Sequence, residues 1–273
     1  MTVTADLHVH TTASDGMLSP RNVVARASET GLSAVAVTDH DSAGGIAEAL
    51  EAGAAYQVNV IPGIELSTEC EDHEIHILGF YIDHTDTHLL SLLNDLQTSR
   101  FTRAEKMVEK LASLGYRIEM NAVLRHAGDA APGRPHIGRA LVEKGYLPSV
   151  TDAFESLIGF RMPAYVERFK LTPQQAIQAI HQAGGIAAWA HPGLVGDDSF
   201  LELFLSCGLD GLEAYHPDHS AAKSEYYRQL AKNKGLVICG GSDFHGGERA
   251  RELGHCGLNK EEFTEFLTVS HSR

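Results

Sequence analysis

The sequence predicts an α/β protein built as a parallel β/α barrel that a helical insertion interrupts. Short apolar stretches alternate with amphipathic stretches in the first and last thirds of the 273-residue chain. The segment from about Thr87 to about Ala164 has mostly helical periodicity. Histidines and carboxylates follow the predicted strands, at the rim where β/α barrels build their active sites.

The first third alternates strands with helices. Ser19-Pro20 begins a helix, since serine is a good N-cap and proline fits the first turn. A second, alanine-rich helix covers Ala43–Tyr56. The predicted strands are Val3–His8, Ser33–Thr38, Val58–Ile61, the segment Ile64–Leu66 after the Pro62-Gly63 break, and Glu74–Tyr81.

The middle of the chain is helical, and its longest helix, Leu89–Leu114, ends at the C-cap glycine Gly115. Shorter helices follow at Asn121–His126, Ile137–Lys144 and Ser149–Leu157. Alternation then resumes with Pro173–Ala183, Ile186–Ala190, Leu201–Cys207, Gly211–Ala214, Glu225–Lys234 and Leu236–Cys239. We therefore predict a barrel domain from residues 1–86 and 165–273, and an inserted domain from residues 87–164.

Charge and composition narrow the class of function. Lys+Arg is 22 and Asp+Glu is 36, which gives a net charge of −14. This argues against a surface that coats duplex DNA, although a small anionic substrate remains possible if bound cations reverse the local charge. The four cysteines form no Cys-x-x-Cys pair, which fits a reducing compartment. We find no leader and no apolar run of about 18 residues, so we expect a cytoplasmic protein without membrane contact.

Histidines and carboxylates occur in separated blocks at the ends of predicted strands. His8 and His10 are two residues apart, as are Asp243 and His245, and this spacing on a strand directs both side chains to one face. Imidazoles and carboxylates are the usual ligands of zinc, manganese and iron. Because these groups are too many for one ion, we expect a multinuclear hydrolytic site.

These blocks carry a resemblance to a known family. The motifs are Asp-Leu-His-Val-His-Thr at 6–11, Ser-Asp-Gly at 14–16, Thr-Asp-His-Asp at 38–41, Pro-Gly-Ile-Glu at 62–65, His-Ile-Leu-Gly-Phe at 76–80, Ala-His-Pro-Gly at 190–193 and Gly-Ser-Asp-Phe-His-Gly at 241–246. Together they resemble the PHP (polymerase and histidinol phosphatase) family of the amidohydrolase-like superfamily. The resemblance implies a distorted (β/α)7-type barrel that holds up to three divalent ions, manganese first, with zinc or iron as alternatives.

The resemblance also implies which residues bind each ion. The first ion would be bound by His8, His10, Glu65 and Asp243, and the second by Glu65, His76 and His191. The third would be bound by Asp15, His40 and His245. Asp15 replaces the histidine of some relatives, which favours a harder ion such as manganese. Asp39 is a further candidate for the catalytic machinery, as an acceptor that orients a ligand histidine or as a ligand, and Asp6 and Asp41 are expected to be supporting hydrogen-bond partners.

Divalent ions activate water and neutralise phosphoryl charge, so phosphoester hydrolysis follows from such a site without a protein nucleophile. The leaving group needs a proton donor, and His216 and His219 lie after a predicted strand within Tyr215-His216-Pro217-Asp218-His219. Loop packing is an equally good interpretation of either histidine.

The insertion contains Gly133-Arg134-Pro135-His136, a turn that presents an arginine and a histidine. Since guanidinium binds phosphate in a bidentate manner, we predict that Arg134 holds a second phosphate, with His136, Arg103 and Lys170 as further substrate-binding candidates.

The inserted motif, the Tyr215–His219 block and the 241–246 motif resemble stand-alone PHP phosphoesterases that act on nucleotide 3′,5′-bisphosphates. This implies a phosphomonoesterase that converts adenosine 3′,5′-bisphosphate to AMP and phosphate by attack of a metal-bridged hydroxide. The alternatives are a 5′→3′ exoribonuclease on short 5′-phosphorylated RNA, a histidinol-phosphate phosphatase, and a non-enzymatic PHP accessory module. A nucleotide or short RNA is thus the expected partner, and no obligate protein partner is evident.

Overall fold

The computed structural model describes residues 2–167, 171–246 and 251–270. The chain divides into two compact units, a larger one from residues 1–91 and 170–273 and a smaller one from residues 92–169. The predicted insertion, residues 87–164, overlaps the smaller unit over residues 92–164. Its role as a substrate-binding cap stays a prediction.

The larger unit contains a seven-stranded sheet whose spatial order follows the chain. The strands are β1 (Ala5–Val9), β2 (Ala34–Val37), β3 (Asn59–Cys70), β4 (His73–Phe80), β5 (Ile186–Trp189), β6 (Gly211–Tyr215) and β7 (Val237–Gly240). A parallel bridge between Val9 and Phe244 brings the chain after β7 back to β1, so the sheet forms a nearly closed barrel. The predicted α/β barrel is therefore confirmed.

Strand β4 departs from the predicted parallel arrangement, because it pairs antiparallel with both β3 and β5. Only Glu71 and Asp72 connect β3 to β4, and both have positive φ angles, of 47° and 65°. Two residues can join antiparallel strands but cannot provide the crossover that parallel strands need. The expectation of two short pieces at 58–61 and 64–66 was also wrong, since residues 59–61 and 64–66 both lie within the single strand β3.

The helices are α1 (Pro20–Thr30), α2 (Ile46–Tyr56), α3 (Thr87–Ser113), α4 (Met120–Ala127), α5 (Arg134–Glu143), α6 (Val150–Ala153), α7 (Pro173–Gln182), α8 (Pro192–Val195), α9 (Phe200–Ser206), α10 (Ala221–Lys234) and α11 (Lys260–Ser270), with a π-helical turn at Phe154–Ile158. Ser19 caps α1 as predicted by accepting from the Asn22 amide. The sequence interpretation did not include α8 and α11. Among the described residues, no helix is long and apolar enough to cross a membrane.

Each unit has its own buried core. In the larger unit, Val9, Val35 and Val37 of the strands pack against Val23 and Ala49 of the first two helices. The smaller unit buries side chains of α3, α4, α5, α6 and the π-helical turn in a second cluster, which includes Met107, Val123, Leu141, Ala153 and Ile158. The barrel strands are thus held in place by apolar packing that is independent of the polar residues at their ends.

Gly241 brings the end of β7 against β1. A Cβ atom at this position would lie 2.3 Å from the backbone nitrogen of His8, which is closer than real carbon contacts allow. Because no larger residue fits, this glycine lets the segment that carries Asp243 and His245 approach the histidines of β1.

Candidate metal centre

The structure brings the nine predicted metal ligands together at one end of the larger unit. They come from β1 and its following loop, from the segment after β2, from β3 and β4, and from the segments after β5 and β7. They are His8, His10, Asp15, His40, Glu65, His76, His191, Asp243 and His245. All of them are buried or half-buried, which is unusual for so many ionisable groups unless they bind a shared partner.

Glu65 lies in the middle of this cluster and is 1% exposed. Its Oε2 atom is 3.3 Å from Nε2 of His8, 3.3 Å from Nε2 of His10 and 2.9 Å from Nδ1 of His40. Its Oε1 atom is 2.7 Å from Nδ1 of His76 and 3.0 Å from Nε2 of His191. One carboxylate therefore contacts five imidazoles, as expected for a bridge between two ions.

Within the described part of the chain, three groups of side chains place their ligand atoms within 4.8 Å of one another. They are His10 with Asp15, His40 and His245; His8 with His10 and Asp243; and His40 with Glu65 and His76. Ligands bound at about 2.1 Å from an ion stand roughly 3–4 Å apart, so these groups have the spacing that a divalent ion needs. The groups differ from the expected sets because His10 and His40 each take part in two of them.

Several buried nitrogen atoms of the cluster make no hydrogen bond within the described part of the chain. They are Nε2 of His8, both ring nitrogens of His10, Nδ1 of His40, Nε2 of His76 and Nδ1 of His191. Buried polar atoms are normally paired, since an unpaired one costs about 1–3 kcal/mol. Unpaired ring nitrogens that lie around shared carboxylates fit a site for divalent cations better than they fit a closed protein core.

Electrostatics also suit a site for cations. Burial disfavours the ionised form of Glu65, but the surrounding histidines, led by His40, outweigh it and hold its pKa well below the ordinary value. Burial likewise disfavours protonation of His10, yet the carboxylates of Asp243 and Glu65 raise its pKa to about 10. Protons on histidines therefore balance the carboxylates when no cation is bound, and a metal ion would displace them.

His216 and His219, the two candidate proton donors, have different surroundings. Nδ1 of His216 accepts a hydrogen bond from the Asp218 amide, so in the neutral ring the proton lies on Nε2, 3.5 Å from Oδ2 of Asp243. Both ring nitrogens of His219 are engaged, one with the Ala214 carbonyl and one with the Gly193 amide. We do not retain His219 as a proton donor, because its ring instead joins strand β6 to helix α8.

Asp39 does not orient a ligand histidine. Its carboxylate accepts from the amide and hydroxyl of Thr11, at 2.7 Å each, and from the hydroxyl of Ser14. These contacts fix the loop that carries Asp15. The expected role of Asp39 as the partner of an imidazole is thus replaced by a role in shaping this loop.

The remaining candidates belong to the smaller unit or lie outside the described residues. Arg134 is the first residue of α5, and its guanidinium carbon lies 5.4 Å from the centre of the Phe154 ring. His136 is 1% exposed and its Nδ1 accepts from the Gly133 amide, so it shapes the turn rather than offering a surface for substrate. Arg103 is also buried and donates to the Val166 carbonyl at 2.7 Å. Lys170 lies outside the described residues.

Two residues near the cluster were missed by the sequence interpretation. Glu213 on β6 is fully buried and contacts His8 and His191. Arg251 binds both carboxylate oxygens of Asp218 and places Nη1 3.5 Å from Asp243. A lone acid inside the apolar strand Gly-Leu-Glu-Ala was a usable signal for Glu213, whereas Arg251 lies in no motif.

Comparison with known proteins agrees with this site. The PHP domain model matches residues 6–105. The chain is 36% identical to the 5′-3′ exoribonuclease Rnm of Escherichia coli strain K12, over 88% of this chain and 84% of that protein. It is 32% identical to the 3′,5′-nucleoside bisphosphate phosphatase of Chromobacterium violaceum, over 92% of this chain and 90% of that one. A solved structure of a proposed metal-dependent phosphoesterase from Bifidobacterium adolescentis matches with a TM-score of 0.90 and 32% identity, over 97% and 95% of the two chains.

A barrel that gathers histidines and carboxylates around a bridging glutamate defines a metal-dependent hydrolase. The chain belongs to the PHP family, and within it to the metal-dependent phosphoesterases.

Proposed function

We propose that the protein removes the 3′-phosphate from nucleoside 3′,5′-bisphosphates, and that adenosine 3′,5′-bisphosphate is converted to AMP and inorganic phosphate. The observation that carries the reaction class is the convergence of nine ligand-type side chains in one cluster, with Glu65 at its centre in contact with five histidines. The substrate class is supported by similarity to the Chromobacterium violaceum relative, which is named for its action on 3′,5′-nucleoside bisphosphates.

The nine ligand-type residues would hold divalent ions, for which manganese is our first choice because Asp15 adds a hard oxygen ligand. Bound ions would supply an activated water and neutralise charge on the phosphoryl oxygens. The water would attack phosphorus, the bond between phosphorus and the 3′-oxygen would break, and the leaving oxygen would take up a proton, so that the products are a 3′-hydroxyl and inorganic phosphate. We assign to the Nε2 hydrogen of His216 a hydrogen bond to the leaving 3′-oxygen, and this assignment is supported by the Asp218 amide, which occupies Nδ1 and so leaves the proton on Nε2 in the neutral ring.

We expect His216→Gln to slow hydrolysis of a 3′-phosphate by about 100-fold, the usual effect of a single proton or hydrogen-bond donor. Hydrolysis of p-nitrophenyl phosphate should change little, because p-nitrophenolate leaves without such help. Initial rates on both substrates, with metal content measured in parallel, check this. An equal loss on both substrates, with metals retained, would contradict the role of His216.

Recognition of the second phosphate is assigned to Arg134 in the smaller unit. Its contact with Phe154 orients the guanidinium at the start of α5. A second cation lies at the same turn, since Nη1 of Arg100 is 3.5 Å from the position that a Cβ of Gly133 would take. Two arginines whose side chains or backbone lie at this turn favour a dianionic phosphate ester over the cationic substrate of a histidinol phosphatase.

A second candidate function is 5′→3′ exoribonuclease activity, favoured by the similarity to the Escherichia coli enzyme. It needs the same hydrolytic chemistry and the same recognition of a terminal 5′-phosphate. The two functions differ in what the attacked phosphate carries, because it is a terminal 3′-phosphate in one case and is esterified to the rest of the RNA chain in the other.

The test is phosphate or mononucleotide release in the presence of manganese from adenosine 3′,5′-bisphosphate, 3′-AMP, 5′-AMP, histidinol phosphate and a 5′-phosphorylated dinucleotide. We expect the bisphosphate to be hydrolysed fastest. Equal rates on 3′-AMP and the bisphosphate would defeat the proposal of two phosphate sites. Faster turnover of the dinucleotide would establish the exoribonuclease instead.

Arg134→Ala should lower kcat/KM for the bisphosphate by roughly 10–100-fold, because a charged hydrogen-bonded contact contributes about 1.5–3 kcal/mol. The rate on 3′-AMP should stay within about twofold, since this substrate lacks the 5′-phosphate. Arg125→Ala is the matched control, because Arg125 lies in the same unit, is exposed and pairs with Glu143. An equal decrease of kcat/KM on 3′-AMP would show that Arg134 does not bind the second phosphate.

A further inference from the structure

Glu213 is a buried carboxylate with two partners, each of them a histidine of the candidate metal centre. It lies on β6 and its side chain is completely inaccessible to solvent. A register shift in the β6–β7 pairing falls between Glu213 and Tyr215. Bulges of this kind redirect side chains at barrel rims, and here the carboxylate lies between the ends of β1 and β5.

The first partner is His8. Oε1 of Glu213 is 3.0 Å from Nδ1 of His8, while Nε2 of the same ring is 3.3 Å from Oε2 of Glu65 and 3.6 Å from Oδ1 of Asp243. A carboxylate only accepts hydrogen bonds, so Nδ1 of His8 must carry the proton. The lone pair of Nε2 is then directed at the cluster, which is the arrangement a metal-binding imidazole needs.

The second partner is the backbone of His191. Oε2 of Glu213 accepts from the His191 amide at 2.6 Å. His191 has φ 30° and ψ 56°, in the left-handed region that non-glycine residues seldom adopt. The hydrogen bond holds this conformation, and Nε2 of the His191 ring is thereby kept 3.0 Å from Oε1 of Glu65.

We propose that Glu213 is a positioning residue that fixes two metal-binding histidines at once, the tautomer of His8 and the backbone conformation of His191. This inference rests on the proposed assignment of His8 and His191 as metal ligands. The two histidines contact different oxygens of Glu65. The Glu213 carboxylate therefore positions one histidine at each oxygen of Glu65.

Glutamine is an informative replacement, because it preserves volume but has only one accepting oxygen. In Glu213→Gln the side-chain NH₂ group takes the place of one carboxylate oxygen. It then faces another N–H donor, either Nδ1–H of His8 or the backbone amide of His191, and that hydrogen bond is lost. One histidine therefore loses its alignment. Loss of such a hydrogen bond to a ligand typically weakens metal binding by 10–100-fold.

The experiment measures zinc affinity and stoichiometry against a chromophoric chelator, together with ¹⁵N NMR of the histidine rings in the zinc-loaded protein. We expect Glu213→Gln to bind zinc about 10–100-fold more weakly and to lose the protected Nδ1–H signal of His8. The matched control is Glu225→Gln on the exposed face of α10, which should bind zinc as the wild type does.

Two further measurements separate the possible failures. His8→Ala tests the ligand assignment itself, because unchanged zinc binding in that variant would remove His8 from the metal site whatever Glu213 does. If Glu213→Gln does not fold, the ¹⁵N NMR spectrum of the zinc-loaded wild type tests the proposal. A His8 ring that carries its proton on Nε2 would overturn it. Wild-type zinc affinity together with an unchanged His8 spectrum in Glu213→Gln would overturn it as well.

Discussion

Glu65→Gln is expected to lower the rate of phosphoester hydrolysis by at least about three orders of magnitude. The reason is that Glu65 contributes both oxygens to contacts with five histidines, and glutamine supplies one neutral acceptor and one donor in their place. Loss of a bridging anion removes several kcal/mol of stabilisation from the charged reacting centre, and about 4 kcal/mol corresponds to a 1000-fold change in rate. Initial rates with added manganese, and elemental analysis of the purified variant, measure both effects.

Glu69→Gln is the matched control for this prediction. Glu69 lies on the same strand, four positions further along, and is only half-buried. It belongs to none of the three ligand groups found among the described residues. The control should keep wild-type activity and metal content. A Glu65→Gln protein that hydrolyses the bisphosphate at near the wild-type rate would remove Glu65 from the centre of the site.

The candidate site could largely be predicted from the sequence, because its ligand-type residues are concentrated in short motifs. His8 lies on β1 and His10 directly follows that strand two residues later, and Asp243 and His245 have the same spacing in the segment that follows β7. Since strands of a barrel end at a common rim, residues that are more than 200 positions apart could be expected to meet. The grouping of ligands was harder to predict, since it depends on ångström-scale distances that the motif spacing does not determine.

The residues that support the ligands were harder to predict from the sequence, because their hydrogen-bond partners are distant in the chain. Glu213 is a single acid in a short strand, and only the fold shows that it faces His8 and the His191 backbone. His219 has the residue type of a proton donor, but its two nitrogens are engaged with Ala214 and Gly193. A sequence shows which groups can transfer protons, whereas their hydrogen bonds decide which of them remain available.

The fold was predictable where local patterns and global topology agree. The alternation of strands and helices predicted the barrel, but it also suggested a uniformly parallel sheet. Strand β4 is antiparallel to its neighbours because the turn before it has only two residues, Glu71 and Asp72. Both have positive φ angles, which these residue types tolerate only moderately well. Helix α11 was not predicted, although Phe263 and Phe266 on it are both buried. Its apolar positions are few, and its place follows from long-range packing, including the contact of Phe266 with Phe80.

Asp6→Ala is expected to produce the largest loss of stability, about 3–4 kcal/mol in the free energy of unfolding. Asp6 is fully buried, and its carboxylate accepts from the Ser242 amide and hydroxyl, from the Gly254 amide and from the His8 amide. Alanine leaves these donors without an acceptor, and each unsatisfied buried donor costs about 1–3 kcal/mol before the structure relaxes. The loss is measured by denaturant unfolding of the metal-free protein, because bound ions would add their own stabilisation.

The order of variants tests the physical cause of this loss. Asp6→Asn keeps one accepting oxygen and can donate to the Ser242 hydroxyl, but its amide group opposes the Gly254 amide, so its stability should fall between the wild type and Asp6→Ala. Asp129→Ala, at an exposed aspartate of the smaller unit, should change stability by less than about 0.5 kcal/mol. Asp6 joins the start of β1 to the segments that contain Ser242 and Gly254, and the segment with Ser242 also carries Asp243. The same hydrogen bonds that stabilise the fold therefore hold a candidate ligand beside His8. An Asp6→Ala protein that is as stable as the Asp129→Ala control would contradict this link between stability and the metal centre.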